Sequence, residues 1–162
     1  MTDSTVSFAR EAAAFRDWAL QPKEKNEATA RQALVHILGL YRAAIFLPQS
    51  CSEENRADDN HRVKDAEWKQ VHDACSRLPF HYYSEILDPF LSPPEAPEVG
   101  NLADNIAHIY QDVITGLSMY EAGKTDEAVR EWNLTFSSHW GNHATSAIRA
   151  IHCYLTAKNQ ET

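Results

Sequence analysis

Apolar side chains in this chain recur three and four residues apart rather than at every second position, the spacing of amphipathic helices. Phe8, Ala12, Phe15 and Ala19 fall on one stripe and predict a first helix from just after Ser4-Thr5 to about Leu20, separated by Pro22 from the next apolar run. Ala30, Leu34, Ile37, Leu38, Tyr41, Ala44 and Ile45 predict a second, from about Asn26 to Phe46, closed by Pro48. Residues 49–60 are polar and aperiodic and read as a solvated loop. A third helix, about His61 to Leu78, would turn the stem of Lys64, Trp68, Val71, Cys75 and Leu78 inward.

Beyond Pro79 the aromatic stretch Phe80-His81-Tyr82-Tyr83 reads as a further helical turn or two over residues 80–87. Pro89, Pro93, Pro94 and Pro97 then predict an extended segment over about 88–100 that crosses the bundle. A fourth helix starts at the capping-box-like Asn101-Leu102-Ala103-Asp104, carries Ile106, Ile109, Val113, Leu117 and Tyr120 inward, and stops at Gly123. Val129, Trp132, Phe136, Trp140, Ala147, Ile151 and Tyr154 hold one phase across Gly141. They predict one long helix from about Asp126 to Ala157, roughly 48 Å at 1.5 Å per residue, with a kink at Gly141 as the alternative. The fold class expected is all-α: a single domain over residues 1–162, built as an antiparallel bundle of four main helices with accessory turns.

Charge narrows the partners. The 23 acidic residues against 15 basic ones give a formal charge of -8, which opposes attraction to a phosphate backbone or an anionic membrane. Nucleic acid and membrane are therefore not expected as partners. No apolar run could span a bilayer, and Met1-Thr2-Asp3-Ser4-Thr5 does not look like a signal peptide, so a cytoplasmic address is expected. Cys51, Cys75 and Cys153 are odd in number and far apart, which suggests neither a disulfide framework nor a cysteine zinc knuckle.

The sharpest candidate chemistry is His139-Trp140-Gly141-Asn142-His143, an i, i+4 histidine pair that could hold a divalent metal. Helical projection places His143 near the middle of the apolar face and His139 on its flank, so both imidazoles should point into the bundle, where they need partners. Acids from other helices, Asp104, Asp112 or Glu131, could complete such a site. The competing reading is a pair of core histidines satisfied by carbonyls or tyrosines, and the chain lacks the Glu-x-x-His motif of ferritin-like sites. Asp104, His108 and Asp112 form a row at i+4 steps, but projection puts Asp104 and His108 on a solvated face, leaving Asp112 and Asn105 within reach of a core site. His36, in Leu34-Val35-His36-Ile37-Leu38-Gly39, loosely matches a histidine phosphotransfer segment without its lysine, so an ordinary exposed histidine is expected. Tyr120 to Ala128 reads as a helix-hairpin turn of the tetratricopeptide kind, occurring once. No nucleotide-binding, EF-hand, nucleophile-elbow or H-E-x-x-H pattern occurs.

Four segments together resemble a bacterial family catalogued as domain of unknown function family 5063: Leu40 to Pro48, Tyr83 to Pro89, Leu102 to Gly123 with Ile109-Tyr110-Gln111-Asp112, and Glu131-Trp132 through His139-Trp140-Gly141-Asn142-His143 to His152. The resemblance implies an all-α fold and a bacterial cytoplasmic setting, and no activity. Asn105 stands where the family is expected to favour an aspartate.

Two functions remain in view. A helical interaction or adaptor protein with a protein partner and no catalytic activity ranks first, and a metal or small-ligand site around His139, His143 and Asp112 ranks second. Neither fixes a cofactor beyond a possible divalent metal, nor an oligomeric state.

Overall fold

A computed structural model of the chain describes residues 3–49 and 60–158, so the polar loop expected over 49–60 lies almost wholly outside the described residues. Six helices and two short strands follow in order: α1 (Asp3–Leu20), α2 (Glu27–Ile45), α3 (Asp65–Cys75), β1 (Tyr82–Glu85), β2 (Glu98–Asn101), α4 (Leu102–Glu121), α5 (Thr125–Thr135) and α6 (Gly141–Lys158). A single π turn, Phe136–Trp140, joins α5 to α6. The protein is mainly helical, as its apolar spacing predicts, and among the described residues no helix is long and apolar enough to cross a membrane.

Local chemistry sets the helix ends. The C-terminal end of α1 is capped by Lys23 of the following loop, whose buried ammonium donates to the carbonyls of Trp18 (2.5 Å) and Ala19 (3.3 Å), a cation where a helix is richest in unpaired acceptors. Asn26 caps α2 by accepting the N–H of Thr29 at 2.9 Å. Asn101 caps α4, accepting from Ala103 and Asp104 at 2.9 and 3.3 Å. Gly123, at φ 82°, gives α4 its left-handed stop.

α4 is the centre of the fold, packed against α1, α3, α5 and α6, while α2 covers α1 and α6. Its approach to α5 depends on a glycine: a Cβ at residue 116 would lie 2.2 Å from Nε1 of Trp132. That fully buried indole donates to the Val113 carbonyl at 2.9 Å, and Phe8 of α1 packs against it with ring centroids 4.6 Å apart. Close packing of this kind leaves no room for an added methyl.

Four expectations need correction. Residues 80–87 are not helical, because β1 pairs antiparallel with β2 in the register Tyr82↔Asn101 to Glu85↔Glu98. Burial in β1 alternates, with Tyr83 and Glu85 more covered than Tyr82 and Ser84, a period of two that favours a strand. The proline-rich segment does not cross the bundle. It leaves β1 and returns along it as β2. The third helix is shorter than expected, starting at Asp65, so Lys64 precedes it and is exposed instead of turned inward. The long last helix is neither uninterrupted nor merely kinked at Gly141, because the π turn loosens it just before that residue.

Candidate metal centre

The π turn has visible causes in the sequence. Thr135, Ser137 and Ser138 each donate a side-chain hydroxyl to the carbonyl four residues back, at 2.7, 3.0 and 2.8 Å, which competes for the acceptors of the regular ladder. Gly141 completes it: a Cβ there would lie 2.3 Å from the Phe136 carbonyl oxygen. The close approach that would justify a glycine inside this helix is therefore the turn's own backbone.

The turn carries His139, and the first turn of α6 carries His143. Both face α4. Nδ1 of His139 lies 2.7 Å from Asp112 Oδ2, and Nδ1 of His143 lies 2.8 Å from Asn105 Oδ1. A carboxylate can only accept, so Nδ1 of His139 is the donor there; with the Asn105 amide nitrogen directed to the Tyr83 hydroxyl, Oδ1 likewise accepts from His143. Both Nε2 atoms are then left with lone pairs when the rings are neutral, and they stand 3.3 Å apart.

His108 of α4 closes the group. Its ring centroid lies 4.8 Å from that of His143 and 5.3 Å from that of His139. One ligand atom from each of His108, His139 and His143 falls within 4.8 Å of the other two. Nδ1 of His108 is shielded from solvent and meets no hydrogen-bond partner among the described residues. Trp68 of α3 lies edge-on to His108 at 5.6 Å and stacks on His72 at 5.3 Å, and His72 Nε2 lies 3.0 Å from Asp104 Oδ1. The His139 side chain keeps 44% of its surface exposed, which leaves the group a route to water.

Burial dominates the electrostatics of the group. Burial, reinforced by His108 and His139, lowers the His143 imidazole to about 4. Burial, with His139 second, also lowers His108, so these rings are neutral at pH 7 and free to act as ligands. Asp104 and Asp112 stand one turn to either side of His108, and both charges are felt at that ring. Burial raises the Asp112 carboxyl even against the pull of His139.

Of the residues singled out in the sequence, His139, His143 and Asp112 come together, although His139 is nearer to solvent than a core position implies. Asn105, which is buried, reaches the site as the partner of His143. Asp104 is half exposed and holds His72 instead of a core ligand. Glu131 is not part of the group. His36 is only half exposed, its ring stacked on Trp18 at 5.2 Å. The correction that matters most concerns His108: α3 and α6 cover the face of α4 that projection assigned to solvent. Its signal was present in the i+4 row Asp104, His108, Asp112.

Comparison with known proteins agrees with this picture of the fold. The family model for a domain of unknown function, DUF5063, matches residues 1–157. The chain belongs to that family. A crystal structure of protein BF1032 from Bacteroides fragilis is similar in fold, with a TM-score of 0.75 at 17% identity over 93% of this chain and 90% of that one. Comparison with curated proteins finds no significant match. At 17% identity the likeness to BF1032 bears on the fold alone.

Proposed function

We propose that this protein binds one divalent transition-metal ion, of zinc-like preference, through His108, His139 and His143. The observation that carries the reading is the 3.3 Å separation of the two inward Nε2 atoms. Two nitrogens bound 2.0–2.1 Å from one tetrahedral ion stand about 3.3–3.4 Å apart. Two facing lone pairs at that distance repel unless a proton or a cation lies between them. The flanking partners suit the cation: Asp112 and Asn105 hold the Nδ1–H groups and aim Nε2 at a common point, as carboxylate and amide groups do behind metal-bound histidines. Three neutral imidazoles leave the ion its full charge and a fourth position for water, which distinguishes this centre from a closed structural one.

The competing arrangement is a shared proton, with His139 as an imidazolium paired to Asp112. Cobalt(II) titration of chelator-treated protein separates the two. The metal reading expects the intense visible absorption of a four-coordinate site, saturating at one equivalent and missing from His108→Ala as well as from His143→Ala. Weak, octahedral-type spectra that those substitutions leave unchanged would support the shared proton.

In this reading α1, α2, α4 and the α5–α6 rod form the antiparallel four-helix bundle expected from the sequence, with the metal between the fourth and the last. A second reading, an adaptor for a protein partner, is favoured by the outer face of α2. There Val35, Leu38, Ile45 and Phe46 are 67%, 45%, 59% and 67% exposed, a stripe of apolar surface unusual on an isolated helix face. A cytoplasmic setting goes with both readings.

A further inference from the structure

A groove of about 890 Å3 separates β1 from α6. All four residues of β1, 82–85, line one wall, and Ser146, Arg149, Ala150 and Cys153 line the other. Successive residues of a strand point to opposite faces, and the lining takes in Tyr82 and Ser84 of the exposed face with Tyr83 and Glu85 of the covered one, as a groove along the edge of the strand does. The sheet has two strands and β2 takes one edge of β1, so the groove follows the edge without a β partner among the described residues. The opposite wall is a single helix face, since its four residues are spaced i, i+3, i+4 and i+7. Together they form a slot between a free strand edge and a helix, about 13 Å long for four residues at 3.3 Å each.

The rim and the charge say what would fill it. Phe80 and Tyr154, stacked at 5.1 Å, provide an aromatic floor. Tyr82 and Ile86 of the lining are 70% and 53% exposed, more apolar rim than a small enclosed ligand would cover. Arg149 is exposed and has no hydrogen bond or ion pair among the described residues, in a chain whose formal charge is -8. The one carboxylate of the lining, Glu85, lies against Tyr83 and Gly100, and the Tyr83 hydroxyl is held by Asn105 and Ser146.

We propose that the groove docks an extended segment of a partner protein, which adds to β1 as a third strand and sets an aspartate or glutamate against Arg149. Backbone hydrogen bonds to β1 supply the adhesion, and apolar side chains at alternate positions enter the slot. This goes beyond metal binding and does not depend on it, because none of the three histidines lines the groove.

The test is a phage-displayed library of random seven-residue peptides, fused to the coat protein at their C-terminal ends, panned against the full chain with and without added zinc. Peptides with apolar residues at alternate positions and one acid should be enriched in both conditions. A synthetic consensus peptide should perturb the amide signals of residues 82–85 and bind Arg149→Glu at least tenfold more weakly. The same peptide with lysine in place of its acid should recover binding to Arg149→Glu. Failure to enrich such peptides, equal affinity for the Arg149→Glu chain, or amide changes on the outer face of α2 would overturn the proposal. So would a groove that takes indole-3-acetate, the small-ligand probe, and no peptide.

Discussion

Asp112→Asn removes one charge behind the proposed ion while keeping an oxygen able to accept from His139. Asp112 Oδ2 lies 2.7 Å from Nδ1 of His139, and an ion on the far side of that ring would be about 7 Å from the carboxylate. A single negative charge and a dication at that distance attract by about 1 kcal/mol in bulk water and about 5 kcal/mol at an effective dielectric constant near 20. The Asp112 side chain is only 14% exposed, so the true figure lies inside that range. Partners of metal-bound histidines cost about 10–100-fold in affinity when replaced, or roughly 1.4–2.7 kcal/mol, which is the loss expected here. Competition for zinc against a chromophoric chelator at fixed pH measures it. Helix content by circular dichroism should stay unchanged, and Asp104→Asn, which alters a half-exposed group engaged with His72, should cost less. Zinc affinity equal to wild type in a folded Asp112→Asn chain would refute the reasoning, because Asp112 would then lend no support to an ion held by His139.

Gly141→Ala places a Cβ 2.3 Å from the Phe136 carbonyl and should destabilise the fold by about 1–3 kcal/mol in urea denaturation while weakening zinc binding, since the π turn presents His139. His143 has a lowered folded value of about 4 against 6.5 unfolded, so between those values the unfolded chain holds the extra proton. The metal-free protein should therefore lose stability as pH falls from 6.5 toward 4, and His143→Gln should flatten that slope in denaturation curves recorded across the window. Burial pushes the Cys75 thiol up to about 12, so Cys75 should resist Ellman's reagent in the native state at about pH 8 while exposed Cys153 reacts, as peptide mapping of the labelled chain can show.

Much of the helical fold was legible because burial at 3.6-residue spacing leaves a strong periodic mark: α2 and α4 begin and end within a residue or two of their predicted bounds, and α1 ends at the predicted Leu20 but begins about three residues early, at Asp3. The hairpin was hidden for the opposite reason. A strand of four residues offers only two alternations, and neighbouring prolines read equally well as a crossing or as a return. At the candidate site, the H-W-G-N-H segment announced His139 and His143, and Asp112 followed from its flank position on α4. His108 did not follow, because projection sees one helix at a time: only the tertiary arrangement shows that Trp68 of α3 and the two histidines of the last helix cover that side of α4. The π turn escaped for a related reason. Its hydroxyls at Thr135, Ser137 and Ser138 and the bare backbone of Gly141 each have ordinary helical uses, and only their combination loosens the helix.

The central claim, that three histidines share an ion, is tested most directly by elemental analysis of untagged protein purified without chelators and dialysed after exposure to zinc. The expected result is close to one zinc per chain, retained through dialysis and absent from the folded His139→Ala/His143→Ala variant. A folded wild-type chain that retains no stoichiometric zinc, manganese, iron, cobalt, nickel or copper would contradict it.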